Sequence, residues 1–297
     1  MPTIDKYYRV AGLVFSISMP EEVAATTDLS QYSPFAVDGG NVAGSAALAA
    51  GRLFALDVHH GLPPRGRFSK LLTEPNGDAS ITAGTLDGRN AFVFSLQDKP
   101  VAWMLAFEDE RRVDVYVVDS FLYAINNAAM ISYAMFSATR HTLLVHASVV
   151  SHGGRAYLFL GKSGTGKSTH SRLWMENIAA TELVNDDNPV VSTADGTARV
   201  FGSPWSGKTP CYRNLAYPIG AFVQLSQAPH NAIRRQSPIE SYASLTSSVS
   251  AMRWHKQLAD GVHRTQDELI GSVSFYHLEC LPDGEAAMLC HQTVTKS

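Results

Sequence analysis

The sequence predicts a mixed α/β (α+β) protein in which a β-rich N-terminal domain precedes a phosphate-loop domain. Three observations indicate this fold class: hairpin signals in the first third, a change to helical spacing near residue 119, and the run GKSGTGKS at residues 161–168. With 297 residues, the chain exceeds the usual size of one hydrophobic core. We therefore predict two domains, residues 1–118 and 119–297.

Composition and charge limit the class of protein. The chain is 45% hydrophobic and 17% charged, as is typical of soluble globular proteins. Its formal net charge of −3 provides no attraction to nucleic acid or to anionic membranes. The N-terminus lacks signal-peptide features, and no run reaches the roughly 18 apolar residues of a membrane span. Since the three cysteines show no paired spacing, we expect a cytoplasmic protein without disulfides or a cysteine-based zinc site.

The first domain shows strand composition and hairpin signals. Residues 8–17 are strand-like, and Asn76-Gly77 and Asp87-Gly88 are strong signals for two-residue hairpins. Strand composition also occurs at residues 91–96, 101–107 and 113–118. Their spacing predicts an antiparallel meander. We predict a loop at residues 59–66, where the adjacent histidines His59 and His60 are better explained as a solvated pair than as a metal site.

The spacing of apolar residues changes from a strand-like to a helix-like pattern at residues 119–140. Apolar and small side chains recur there every three or four positions, and no Gly or Pro interrupts them. This spacing predicts a helix of about six turns that joins the two domains.

The second domain begins with a strand, a hairpin turn, a strand, the phosphate loop and a helix. The corresponding ranges are 143–150, 151–154, 155–160, 161–168 and 169–178. A short strand at residues 182–184 leads into Asn185-Asp186-Asp187. We predict further strands at 190–192, 198–201, 219–225, 272–278 and 286–290, and a helix over 239–258.

The run GKSGTGKS matches the pattern G-x-x-x-x-G-K-[ST] at every fixed position and follows the apolar run YLFL. In a strand–turn–helix context, loop N–H groups and the start of the helix converge on phosphate oxygens. Lys167 is expected to reach the β- and γ-phosphates, and the Ser168 hydroxyl to ligate Mg²⁺. We therefore predict a bound nucleotide and Mg²⁺ as cofactors. The predicted nucleotide-binding residues are Gly161, Lys162, Ser163, Gly164, Thr165, Gly166, Lys167, Ser168 and Thr169.

A second acidic signal follows in ELVNDD. Asp186 and Asp187 lie 19 and 20 positions after Lys167, which is closer than in most phosphate-loop proteins. Two adjacent carboxylates at a strand end can divide the chemistry, because one can ligate metal while the other accepts a proton. A solvated turn or helix cap would also suit Asp-Asp-Asn-Pro. The upstream loop favours the functional interpretation.

The order LVHAS, hairpin, GKSGTGKS and LVNDD resembles the catalytic domain of HPr kinase/phosphorylase and its relative, ATP-dependent phosphoenolpyruvate carboxykinase. The likeness covers roughly residues 143–191. It implies a phosphate-loop domain of that type, with Asp186 as the general base, His146 orienting Asp186, and Asp187 and Ser168 holding the metal, to which Asp186 also contributes. The alternative for His146 is a core histidine on an apolar strand.

The chain departs from that family in two respects. No E-I-R-G-type motif follows the acidic pair, so we do not expect phosphorolysis. The N-terminal part bears no likeness to the N-terminal domain of those kinases, so we expect it to recognise an acceptor other than HPr.

The loop at residues 202–214 provides further candidates. Lys208 and Arg213 could form a cationic lid over the transferring phosphoryl group, or they could be ordinary surface charges. Trp205 and Tyr212 could shape an acceptor pocket or anchor the loop.

Together these features predict an ATP-dependent kinase that moves the γ-phosphoryl group to a hydroxyl of a protein or peptide serine or of a small molecule. The alternative is a nucleotide-gated binding module without turnover. The expected partners are the nucleotide and the hydroxyl acceptor, without nucleic acid or membrane. The family resemblance is compatible with a homo-oligomer.

Overall fold

The computed structural model describes residues 2–38, 42–207 and 209–296. The chain forms two compact units, Met1–Phe136 and Ser137–Ser297. Helices and two large mixed sheets make up the described residues, which confirms the mixed α/β class. Within these ranges no helix is long and apolar enough to cross a membrane.

The first unit is built on one mixed sheet. Its strands are β1 Thr3–Val10, β2 Leu13–Pro20, β3 Ala36–Val37, β4 Ala55–His60, β5 Phe68–Asn76, β6 Ala79–Leu86, β7 Arg89–Leu96, β8 Lys99–Phe107 and β9 Arg112–Val117. Its helices are α1 Glu21–Thr26, α2 Val42–Gly51 and α3 Phe121–Ser137, with 3₁₀ turns at Ser30–Phe35 and Glu108–Glu110. The strand order is β3-β1-β2-β4-β9-β8-β7-β6-β5, in which β5 to β9 form the predicted antiparallel meander.

Tight turns between neighbouring strands fix which of their residues pair in this sheet. Asp87 and Gly88 have φ angles of 48° and 84°, which is the left-handed conformation of a tight hairpin. The predicted strand at residues 8–17 is wrong, because the chain turns at Ala11 and Gly12 and separates β1 from β2. The predicted loop at 59–66 is wrong at its start, where His59 and His60 end β4.

Helix α3 confirms the helix expected over residues 119–140, and a 3₁₀ turn, Ala138–Arg140, continues it. Up to Phe136 the helix belongs to the first unit, although we grouped it with the second domain. Its packing explains this assignment. The Tyr133 hydroxyl donates to the Val10 carbonyl at 2.9 Å, and the Phe136 ring stacks on Phe54 with centroids 5.6 Å apart.

The second unit contains a sheet that mixes parallel and antiparallel pairs. Its strands are β10 Thr142–Leu144, β11 Ala147–His152, β12 Arg155–Leu160, β13 Glu182–Asp187, β14 Val190–Ser192, β15 Arg199–Phe201, β16 Ala216–Gln227, β17 Ala232–Arg235 and β18 Ser274–Cys280. Its helices are α4 Lys167–Asn177, α5 Pro238–Ser248, α6 Lys256–Ser272 and α7 Gly284–Val294. The strand order is β10-β14-β15-β16-β12-β11-β13, and β18 pairs with β16 and β17.

Strand directions define one edge of this sheet. Strand β12 is antiparallel to β11, and β11 is antiparallel to β13. The carboxyl ends of β12 and β13 therefore meet at the edge where β11 begins. The predicted strand over residues 143–150 is interrupted at this edge, where the His146 N–H donates to the Ser248 carbonyl at 2.6 Å.

Two predictions for the last third of the chain are wrong. The helix expected over residues 239–258 ends at Ser248, because Val249 is extended and bridges Val145. The segment 286–290, predicted as a strand, lies in α7. Its N-cap Asp283 accepts from the Ala286 N–H at 2.9 Å, and its buried residues recur at helical spacing.

Candidate functional site

The predicted phosphate loop joins β12 to α4. The residues of β12 beyond its first are buried, so the loop leaves the sheet from a fixed position. Gly161, Gly164 and Gly166 have φ angles of 152°, 81° and 111°, a region that L side chains rarely adopt. Since Gly166 is the N-cap of α4, the first N–H groups of the helix border the loop, an arrangement that suits an anion.

Lys167 curls back over this loop. Its Nζ donates to the Gly161 carbonyl at 2.9 Å and to the Lys162 carbonyl at 3.5 Å, and the residue is only 8% exposed. Burial lowers the pKa of Lys167, while the nearby carboxylates Asp187 and Asp186 oppose that shift. The lysine charge is therefore held at the centre of the loop, within electrostatic range of both acidic residues.

The acidic pair divides between the two faces of β13. Asp186 stands opposite Ser148 of β11, and the Ser148 Oγ lies 2.6 Å from the Ser171 Oγ on α4. Opposite residues of antiparallel strands share a face, so Asp186 lies on the α4 side, where it is 5% exposed. Asp187 stands opposite Ala147 and therefore belongs to the other face.

His146 contacts Asp187 rather than Asp186, which corrects our assignment. Its Nδ1 lies 3.3 Å from the Asp187 Oδ1, and the two side chains are 40% and 34% exposed. The reason is the strand register, because His146 immediately precedes Ala147, the partner of Asp187. The family resemblance implied that His146 orients Asp186; the structure shows the histidine at the acidic pair, but against the other carboxylate.

Burial sets the direction of two pKa shifts at this contact. It raises the pKa of Asp187 above the ordinary carboxyl value, although His146 and Lys167 oppose the shift. It lowers the pKa of His146, and the positive charge of Lys167 acts in the same direction. Both shifts favour the uncharged forms, so the imidazole is harder to protonate and the carboxyl group harder to ionise than in water.

Residues 202–207, which we call the strap, cross the end of β13. The Gly207 N–H donates to the Asp186 carbonyl at 2.9 Å, and Ser206 bridges Asp187. A Cβ at Gly207 would lie 2.9 Å from that carbonyl oxygen, so this approach requires glycine. Trp205 is 2% exposed and anchors the strap, as one of our two alternatives proposed.

Arg213, one of the two cations expected in a lid, does not join this cluster. Arg213 donates to the Leu183 carbonyl at 2.8 Å and to Glu182 Oε2 at 2.7 Å. Both partners lie at the start of β13, whereas the acidic pair lies at its end, about 13 Å along a strand. Lys208 lies outside the described residues.

The donor set fits Mg²⁺ held jointly by protein and nucleotide. Across the described ranges, no group of three His, Cys, Asp or Glu side chains could hold a metal ion by itself. Mg²⁺ bound with nucleotides typically takes only one or two protein carboxylates, together with phosphate oxygens and water. Asp186 on the α4 face and Ser168, exposed in the first turn of α4, match that requirement.

No protein-family model matches the chain, and no curated protein matches it. Its function must therefore be inferred from the site itself.

Proposed function

We propose that this chain is an ATP-dependent phosphotransferase that moves the γ-phosphoryl group to a hydroxyl of a protein or peptide serine or of a small molecule. The observation that supports this function best is the convergence of Lys167, Asp186, Asp187 and His146 at one edge of the second sheet. A phosphate loop alone accounts for nucleotide binding. A reachable carboxylate beside a neutral imidazole adds a proton acceptor, which hydroxyl phosphorylation uses.

Nucleotide binding follows from the loop. Backbone N–H groups of residues 161–168 and the start of α4 would hold the phosphates, with Lys167 at the β- and γ-oxygens. Ser168 and Asp186 would hold Mg²⁺, which when bound neutralises charge on the phosphate oxygens. Since Lys167 already rests on loop carbonyls, only a short movement of its ammonium group is needed to reach a phosphate.

Asp187 is our proposed general base, in place of Asp186. Its side chain is 34% exposed and can meet a hydroxyl arriving from solvent, whereas Asp186 is 5% exposed. Its raised pKa also brings it closer to the operating pH, where general bases work best. In the reaction the Asp187 carboxylate takes the hydroxyl proton. The acceptor oxygen then bonds to the γ-phosphorus as the bond to the bridging oxygen breaks and ADP leaves.

The class we propose is HPr kinase-like. Its support is the resemblance of residues 143–191, together with the strand–loop–helix context and the acidic pair at the end of a neighbouring strand. The proposed phosphate-loop domain corresponds to the second unit.

Label transfer tests this proposal. Purified protein is incubated with Mg²⁺ and γ-labelled ATP, with and without a cell extract as acceptor source. We expect label on an extract component, and a loss of about 100-fold or more in Lys167→Ala because a preorganised cation is removed from the transferring group. The matched control is Arg172→Ala, an exposed cation on the same helix that pairs with Glu176 at 3.8 Å. ATP binding without transfer or hydrolysis would contradict the proposal and favour a nucleotide-gated binding module.

A further inference from the structure

Asn188 follows the acidic pair directly and is fixed by its main chain. Its N–H donates to the Trp205 carbonyl at 3.2 Å, and its carbonyl accepts from the Ser203 Oγ at 2.6 Å. Both partners belong to the strap. The residue is 7% exposed, so its side chain has little freedom to leave this position.

The side chain of Asn188 is directed at Asp187. Its Nδ2 donates to the Asp187 Oδ2 at 2.8 Å, while His146 contacts the other carboxylate oxygen, Oδ1, at 3.3 Å. The two oxygens of one carboxylate are thus held by two different side chains. A carboxylate oxygen has two lone pairs, so each keeps one that can receive a proton.

We propose that Asn188 is a positioning residue whose amide fixes the Asp187 carboxylate in the orientation that receives the acceptor's proton. This inference rests on the proposed function. The amide suits the task because it donates a hydrogen bond without adding a positive charge, which would make the carboxylate a weaker base. Misplacement of a reacting group by about 1 Å can cost about 100-fold in rate, so one orienting hydrogen bond has a measurable effect.

Two substitutions remove the donor while leaving the main-chain contacts with the strap. Asn188→Ala deletes the amide, and Asn188→Leu keeps a side chain of similar size that has neither a donor nor a charge. For both we expect kcat to fall about 10- to 100-fold, with KM for ATP within about twofold of the original, because nucleotide binding is not changed. The control is Asn177→Ala, which removes a comparable hydrogen bond to the Leu173 carbonyl at the far end of α4.

A double-mutant cycle distinguishes positioning from a general structural role. If Asn188 acts through Asp187, Asn188→Ala will reduce kcat no further in an Asp187→Asn background. An equal additional loss in that background, or a rise in KM that accounts for the whole effect, would overturn the inference. If Asn188→Ala does not fold, Asn188→Leu takes its place in the cycle.

The same variants separate failure of this inference from failure of the proposed function. A large loss in Asp187→Asn with full activity in both Asn188 variants would refute the positioning role alone. Full activity in Asp187→Asn would refute the base itself, and the positioning role with it.

Discussion

Two pairs of carboxylates, one in each unit, have similar neighbours but differ in what surrounds them. In the first unit, Asp57 of β4 stands directly opposite Asp114 of β9. One nitrogen of Arg112 lies 3.0 Å from both Asp114 oxygens, and His59 lies 3.6 Å away. This pair therefore has a cation and a histidine, as a catalytic site would, on the face of a regular sheet.

The second pair has the same kinds of neighbour in a different setting. Asp186 and Asp187 lie within electrostatic range of Lys167, and His146 contacts Asp187. Here the cation, Lys167, donates a hydrogen bond to the Gly161 carbonyl rather than to either carboxylate. It belongs to a loop whose backbone forms an anion site at a helix start.

The difference shows that the residue types alone do not define a site. In the first pair, the cation, Arg112, lies on the same sheet face and also forms an ion pair with Glu110 at 3.1 Å. Its charge is therefore balanced by carboxylates of the same sheet. In the second pair, the cation belongs to the predicted phosphate loop, whose backbone and adjoining helix start would suit a phosphate group. The anion-binding backbone is therefore the feature that gives the second pair a proposed catalytic role.

The largest effect that we expect comes from Asp187→Asn. The amide cannot accept the hydroxyl proton, so label transfer should fall by about 100- to 10,000-fold, the usual contribution of a general base. Affinity for ATP should change little. The rate of label transfer is measured under saturating ATP, and the affinity for ATP is determined separately.

Two other variants sharpen this result. Asp186→Asn should weaken the binding of Mg²⁺, so that part of its lost activity returns at higher Mg²⁺ concentration. Asp187→Asn should show no such recovery. Asp57→Asn should leave transfer unchanged. If Asp187→Asn kept full transfer while Asp186→Asn lost it irrespective of Mg²⁺, the base would be Asp186, as the family resemblance implied.

The parts of the fold that could be predicted were those with local signals. The hairpin at Asp87-Gly88 and the helix α3 depend on turn chemistry and on periodicity that a single segment contains. The turn at Ala11-Gly12 was missed because the apolar pattern continues across it. The strand assigned to residues 286–290 failed because the cap at Asp283, which starts α7, was overlooked.

The site was predictable in its motifs but not in its pairings. The loop and the acidic pair are contiguous in sequence, so their residue types could be identified directly. Which carboxylate His146 meets depends on register between β11 and β13, which no local pattern contains. The contact between Asn188 and Asp187 was also missed, because Asp-Asp-Asn-Pro is equally suited to a turn.

A smaller effect is expected for Asp57→Asn on stability. Burial and the neighbouring Asp114 raise the pKa of Asp57, so its ionised form costs folding free energy at neutral pH. Removing the charge should increase the free energy of unfolding at pH 7 by on the order of 0.5 kcal/mol, the size of an unfavourable cross-strand pair. The gain should shrink as the pH falls through the carboxyl range, where the wild-type group takes up its proton in the folded state.

Urea unfolding at neutral and at acidic pH measures this effect, with Asp98→Asn, on an exposed turn, as the control. A loss of stability at neutral pH would mean that Asp57 is a favourable partner of Arg112 and His59. The contrast between the two carboxylate pairs would then weaken, because the first would also be an electrostatically satisfied cluster.

The smallest effect is expected for Arg213→Ala, which tests whether a cation at the other end of β13 contributes to the site. Its ion pair with Glu182 is exposed, with side chains 41% and 58% accessible, so its loss should cost only about 0.2–0.4 kcal/mol of stability, the low end of the range for exposed pairs. Transfer should remain close to the original rate, as it should in Glu182→Gln. An arginine that closes over the transferring phosphoryl group contributes about 1,000-fold or more. A loss of that order in Arg213→Ala alone would show that the arginine leaves Glu182 during the reaction, and that both ends of the strand serve one site.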